Sequence, residues 1–158
     1  MARKTIGSLL LLWSLAVGTA YGADSTKTII IKVFDGKSGH PVMPTGFQVR
    51  VDHQTMLHPD WVKQNDDGTA ELTIPAETAV VALHLAYQNS MELYVNCDAE
   101  KNTFGDVWYR VAEIALKGYV AANGCAKAKV NDKFKTTAAP GELIMFVREK
   151  NLKERAMD

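Results

Sequence analysis

Signatures of catalysis and of cofactor binding are what this sequence lacks. It has no Cys-x-x-Cys, no Gly-x-Ser-x-Gly nucleophile turn, no glycine-rich phosphate loop and no dinucleotide fingerprint. Thiol redox, α/β-hydrolase and nucleotide chemistry therefore have no recognisable residues to work with. Net charge is missing too: 18 Lys and Arg balance 18 Asp and Glu, so the whole chain has no basic attraction for nucleic acid or anionic lipid. Cysteine is scarce, at two. What is present is 158 residues that are 47% hydrophobic and 23% charged. That composition is too hydrophobic for a disordered chain and the length too short for two large domains, so a single globular domain is expected. No cofactor is expected.

The first 22 residues have the pattern of a secretory signal peptide. Arg3 and Lys4 form a basic start, Ile6 to Val17 is largely apolar, and Ala20-Tyr21-Gly22 places small residues where a signal peptidase reads. The apolar stretch is short of the ~20 residues that a bilayer span needs. Cleavage is placed after Gly22, giving a periplasmic or extracellular protein without stable membrane insertion. Losing Arg3 and Lys4 and no acidic residue leaves the mature chain mildly acidic. In such a compartment Cys97 and Cys125 are expected to pair as a structural disulfide. Their loop of about thirty residues corresponds to roughly 3–4 kcal/mol in the chain-entropy view.

Along residues 23–150 the pattern is one of short strands between turns. Thr28–Phe34 is β-branched and apolar, and Phe47, Val49 and Val51 alternate with polar residues. Asp66-Asp67-Gly68 is a hairpin signal, followed by alternating Ala70, Leu72 and Ile74 until Pro75 stops the run. Ala79–Tyr87 reads as a central strand broken only by His84; Met91, Leu93, Val95 and Cys97 share one face of the next; Glu142–Arg148 reads as the last. Val107–Gly118 differs, placing Val111, Ile114 and Ala115 at helical spacing with Gly118 as a C-terminal cap. Lys127–Pro140 reads as a polar loop and residues 151–158 as a charged, mobile tail. The expected fold is all-β: a small antiparallel β-sandwich of six to seven strands with one short helical insertion.

Two stretches carry a family resemblance. Val33-Phe34-Asp35-Gly36-Lys37-Ser38-Gly39-His40-Pro41-Val42 followed by the alternating strand, with Asp67-Gly68-Thr69-Ala70-Glu71-Leu72-Thr73-Ile74-Pro75 later, resembles the carboxypeptidase regulatory-like, or prealbumin-like, β-sandwich domains. Val111–Gly118, Asn123-Gly124-Cys125 and Pro140-Gly141-Glu142-Leu143-Ile144-Met145-Phe146-Val147-Arg148 resemble exported bacterial proteins of unknown function that add a Cys-containing C-terminal half to such a sandwich. The resemblance implies a non-catalytic accessory module that supports or recognises something else. The opening also resembles the transthyretin-like hydroxyisourate hydrolases. Their first-strand His falls at Lys32, and their C-terminal Tyr-Arg-Gly-Ser is replaced by Arg155-Ala156-Met157-Asp158, so that activity is not expected.

Candidate chemistry is therefore sought in the aromatics and histidines. Trp61 follows His58-Pro59-Asp60 in a polar loop, and Trp108 and Tyr109 open the helical insertion near Phe104. Exposed indoles and phenols on a sandwich stack on sugar rings or anchor protein interfaces; buried ones cap the core. Trp108 suits core packing better, and Trp61 suits either. His53, His58 and Asp60 could serve a metal-dependent hydrolase, but their spacing does not force them together. His84 reads as a hydrogen-bonded strand residue, His40 as solvated, Asn65 to Gly68 as a turn and not a calcium loop, and Lys127, Lys129, Lys133 and Lys135 as a solvated basic run. The expected binding set is Trp61, His58, Trp108 and Tyr109, with no metal ligands. The expected function is non-catalytic recognition of an envelope or extracellular protein. The alternatives are glycan binding through the same aromatics and the metal-dependent hydrolase. No nucleic-acid partner is expected.

Overall fold

Alternation of apolar and polar residues is the pattern that builds this molecule. The computed structural model describes residues 25–87, 91–97, 107–125, 136–149, 151 and 153. Among the described residues nine strands run in the order β1 (Thr26–Asp35), β2 (Gly46–Val51), β3 (Val62–Gln64), β4 (Thr69–Pro75), β5 (Val80–Tyr87), β6 (Met91–Val95), β7 (Tyr109–Arg110), β8 (Tyr119–Val120) and β9 (Glu142–Glu149). A short 3-10 turn, Pro59–Trp61, precedes β3, and the helix α1, Val111–Lys117, lies between β7 and β8. The fold is all-β and sandwich-like, and α1 is the one helix with described bounds. Residues 1–22 and most of the tail lie outside the described residues, as do Phe104, Lys127, Lys129, Lys133 and Lys135. Among the described residues no helix is long and apolar enough to cross a membrane.

The strands follow one hydrogen-bonded path, β2-β5-β6-β9-β1-β4-β3, with β7 against β5 and β8 against β9. β6 pairs with the end of β5 on one side and with β9 on the other, so it joins the two layers. Ile29, Ile31 and Val33 from β1, Leu72 and Ile74 from β4, and Leu143, Met145 and Val147 from β9 meet Val49, Val51, Val81 and Leu85 in one core. Burying a side chain of this size is worth about 1.5–3 kcal/mol against leaving it exposed.

Three features refine the sequence reading. First, the strands are not all antiparallel: β9 lies parallel to β1, with Ile31 opposite Leu143 and Val33 opposite Met145, and β8 is parallel to β9. Strands β3, β7 and β8 are only two or three residues long and raise the count to nine. Second, the helix begins at Val111 and not at Val107, because Tyr109 and Arg110 pair with Val81 and Val80 as β7. Third, Cys97 lies two residues past β6, with a left-handed φ of 62°, and not in the strand itself.

The bridged end of the molecule is fixed by close approach. Cys97 and Cys125 form a disulfide with their Cα atoms 5.0 Å apart, an ordinary separation for such a bond. Gly36 lies beneath it: a Cβ there would come within 2.7 Å of both Asn123 Oδ1 and Cys125 Cβ, and would overlap Cys125 Sγ. Asn123 reinforces the junction by donating Nδ2 to the Gly36 carbonyl at 2.9 Å and accepting the Cys125 N–H at 3.1 Å. Gly118 ends α1 at φ 74°, donating its N–H to the Ile114 carbonyl at 2.9 Å.

The turns at Asp35 and Asp67 are each held by their own carboxylate. Asp35 Oδ1 accepts from the Lys37 N–H at 3.1 Å, the Ser38 N–H at 2.6 Å and the Ser38 hydroxyl at 2.7 Å. Partial burial pulls the Asp35 carboxyl up, but the hydrogen bonds from Ser38 and Lys37 outweigh it and hold the group below the ordinary aspartate value. In the β3–β4 hairpin, Asp67 Oδ1 takes the Thr69 N–H at 2.9 Å and the Thr69 hydroxyl at 2.7 Å. Those bonds hold the Asp67 carboxyl below its ordinary value.

Candidate functional site

The loop from Asp52 to Trp61 supports both described tryptophans. It leaves β2 through two consecutive left-handed residues, Asp52 at φ 47° and His53 at φ 60°. Asp and His tolerate this region better than most side chains. Asp52 secures the turn: its Oδ1 accepts the N–H groups of Ala79 at 2.9 Å and Val80 at 3.1 Å. Further on, the His58 N–H reaches the Val49 carbonyl at 2.9 Å, and Pro59 opens the 3-10 turn that carries Asp60 and Trp61.

Each tryptophan meets one histidine of this loop. The His58 and Trp61 rings stack at 3.7 Å with an interplanar angle of 10°. The His53 and Trp108 rings are 4.3 Å apart and tilted by 50°, and the Arg50 guanidinium lies 5.9 Å from the Trp108 ring centre. Arg50 is itself oriented by donating Nε to the Gln54 carbonyl at 2.8 Å. Both indoles are half-buried, and Trp61 packs against the core.

Trp61 also lines the larger described hollow, a groove of about 820 Å³. Its other walls are Asp60, Lys63, Glu71, Thr73, Ile74, Pro75 and Glu77, with Ser25 and Thr26 at one end. Glu71 and Thr73 reach it because they alternate with the buried Leu72 and Ile74 and so occupy the outer face of β4. Lys63 stands opposite Glu71 across the β3–β4 pair. β3 accompanies β4 only as far as Leu72, so the groove continues past the end of β3 along Thr73–Pro75. A smaller hollow of about 300 Å³ lies over Gly46, Gln48, Pro59 and His84, where the opposed small residues Gly46 and Ala86 leave room.

The four expected binding residues therefore separate. His58 stacks on Trp61, which lines the groove, while Trp108 joins His53 and Arg50 instead. Tyr109 is a correction: it is 3% exposed, faces the core from β7 and packs edge-on to Tyr119, so it offers no surface. Burial pushes its hydroxyl well above the ordinary tyrosine value, with the Asn96 side chain opposing that shift. The Tyr109 hydroxyl and Asn96 Oδ1 are both buried without a hydrogen bond of ordinary geometry among the described residues. His53, His58 and Asp60 are not gathered into a metal site: among the described residues no three His, Cys, Asp or Glu side chains group as ligands. Lys32 is bound to Glu142 at 2.6 Å. That bond, together with the Ala139 N–H, holds the Glu142 carboxyl below its ordinary value.

The sequence reading missed Lys63, Glu71, Thr73 and Glu77 as groove residues. The period-two pattern of β4 already assigns Glu71 and Thr73 to a shared outer face, which was the available signal. Comparison with family models, with curated proteins and with solved structures finds no match to this chain.

Proposed function

We propose that the chain is an exported, non-catalytic recognition module of the carboxypeptidase regulatory-like type. It acts in the periplasm or outside the cell by seating a protein partner against the groove beside Trp61. The observation that carries this reading is the groove itself: about 820 Å³, with an indole in one wall and polar side chains along the others. Concave sites with one aromatic anchor and a few placed polar groups are where partners bind. Export is supported by the residue 1–22 pattern and by the Cys97–Cys125 bridge, since such bridges persist mainly in oxidising compartments. The family reading is supported by the Asp35 and Asp67 turns, each stabilised by its own carboxylate. A protein partner is favoured over a glycan because Trp61 is the one aromatic among the described residues that line the groove, while the Trp108 ring is in contact with His53 and Arg50.

The test is photo-crosslinking in intact cells, with a photo-reactive phenylalanine analogue replacing Trp61 and a control at Leu116, which is 79% exposed. A discrete protein band from position 61 and none from position 116 is the expected result. No band, or the same band from both positions, overturns the partner reading and makes a glycan screen the next step.

A further inference from the structure

The groove's charge narrows what its partner must be. Three carboxylates, Asp60, Glu71 and Glu77, face it against one ammonium, Lys63. Asp60 and Glu77 make no side-chain hydrogen bond or ion pair within the described residues, and Glu71 takes only a long bond of 3.4 Å from Asn65 Nδ2. Among the described residues the groove's three carboxylates thus share one ammonium and form no ion pair. Trp61 and Pro75, both half-buried, line the same groove. Carboxylates set around an indole suit a side chain that is apolar along its stem and cationic at its tip, which is the chemistry of lysine and arginine.

Shape supports a chain and not a single side chain. The groove follows β4 past the end of β3, from Glu71 through Pro75 to Glu77. Its volume of about 820 Å³ exceeds what one side chain fills. An extended polypeptide advances about 3.3 Å per residue and presents alternate side chains to one face, so it can place successive basic residues along such a groove.

On these grounds, and resting on the reading of the groove as a partner site, we propose that it receives an extended basic segment of a partner polypeptide. The lysine or arginine stems lie against Trp61 and Pro75, and their charged ends lie among Asp60, Glu71 and Glu77. Recognition of this kind is steered by charge and weakens with salt.

The experiment is calorimetric titration of the purified protein with three probes. They are a capped heptapeptide alternating lysine and alanine, its glutamate counterpart, and a neutral tetrasaccharide of glucose. The lysine peptide is expected to bind, with affinity falling about tenfold or more between low and moderately high salt, and the other two are not. The Glu71→Gln/Glu77→Gln variant is expected to lose about tenfold or more in affinity at low salt. The Glu113→Gln variant, altered on α1 away from the groove, is expected to bind as the parent does. Unchanged thermal midpoints establish that both variants fold. Absent binding of the lysine peptide, equal binding by the double variant, or preference for the tetrasaccharide each overturns the proposal. Crosslinking separates this from the broader reading. A position-61 band that persists undiminished in the Glu71→Gln/Glu77→Gln protein overturns the basic-segment proposal and leaves the partner reading standing. Absence of the band in the parent overturns the partner reading.

Discussion

The bridged end of the molecule and the Asp52–Trp61 loop are held by different means. At the bridged end, Gly36, Asn123, Cys97 and Cys125 meet at distances that leave no room for another carbon atom. In the loop, backbone and Asp52 hydrogen bonds set the path, but the side chains His53, His58 and Trp61 are located by ring contacts, and Asp60 turns outward to a groove. One region uses its side chains on itself. The other keeps aromatic and charged side chains at a surface, which is where residues kept for recognition are expected. The contrast predicts that changes at the bridged end cost stability and spare binding, and that changes at the groove do the reverse.

The largest effect tests the first half. Replacing Cys97 and Cys125 together by Ser is expected to cost about 2–5 kcal/mol, read from chemical denaturation of the parent and the variant. At denaturant concentrations where both are folded, lysine-peptide binding is expected to be unchanged. If binding falls with the bridge, the two regions are not independent.

Gly36→Ala is the next sharpest change. The new Cβ meets Cys125 and Asn123, so a cost of about 1–3 kcal/mol is expected from overpacking. In a protein that already carries Cys97→Ala and Cys125→Ala the penalty is expected to shrink, because the overlapping sulfur is gone. A double-mutant cycle reads this as coupling between the sites. Equal penalties in both backgrounds would show that Asn123 Oδ1 and the Cβ of residue 125, and not the sulfur, are the obstacle.

Asp35 yields a pH prediction with a definite sign. Its folded carboxyl lies below the ordinary aspartate value of 3.8. Its contribution is therefore fully present above that value and is lost as pH falls through the lower folded value. After allowance for solvent screening the contribution is about 1 kcal/mol or less. Denaturation midpoints followed from about pH 5 to pH 2 are expected to fall less steeply in Asp35→Asn than in the parent. An unchanged acid slope would show that Asp67 and Glu142, also held below their ordinary values, dominate that limb.

How much of this was legible in the sequence depends on whether a residue's role is local. The β4 alternation of Ala70, Leu72 and Ile74 needs only a two-residue period, and the structure buries all three. The Gly118 cap follows from helical spacing ending at a glycine. β9 was legible as a strand but not in its placement. Leu143 through Val147 are buried on both faces, and nothing along the chain says that the last strand enters beside the first, parallel to it. Tyr109 was misread because a two-residue strand, β7, captured the start of the helical pattern and turned its ring inward. β3 is too short to show a period, so the strand that sets Lys63 opposite Glu71 was invisible, and with it the groove wall. The groove is assembled from residues spread between Ser25 and Glu77, and only pairing across strands brings them together.

A pair of small effects tests the loop half of the contrast. His58→Ala removes the ring stacked on Trp61, for which aromatic pairs set about 0.5–1.5 kcal/mol as the scale. His53→Asn removes the tilted contact with Trp108 while keeping a residue that tolerates the left-handed φ of 60°, and is expected to fall at or below that range. The two substitutions then diverge in binding. His58 orients the indole that lines the groove, so its loss is expected to weaken lysine-peptide binding several-fold. His53 is not among the residues that line the groove, so its loss is expected to leave binding unchanged. Calorimetric titration beside a denaturation curve for each variant gives both readings on one sample. Equal losses of binding would mean that the loop acts as a unit, and that the Trp108 cluster belongs to the recognition surface as much as Trp61 does.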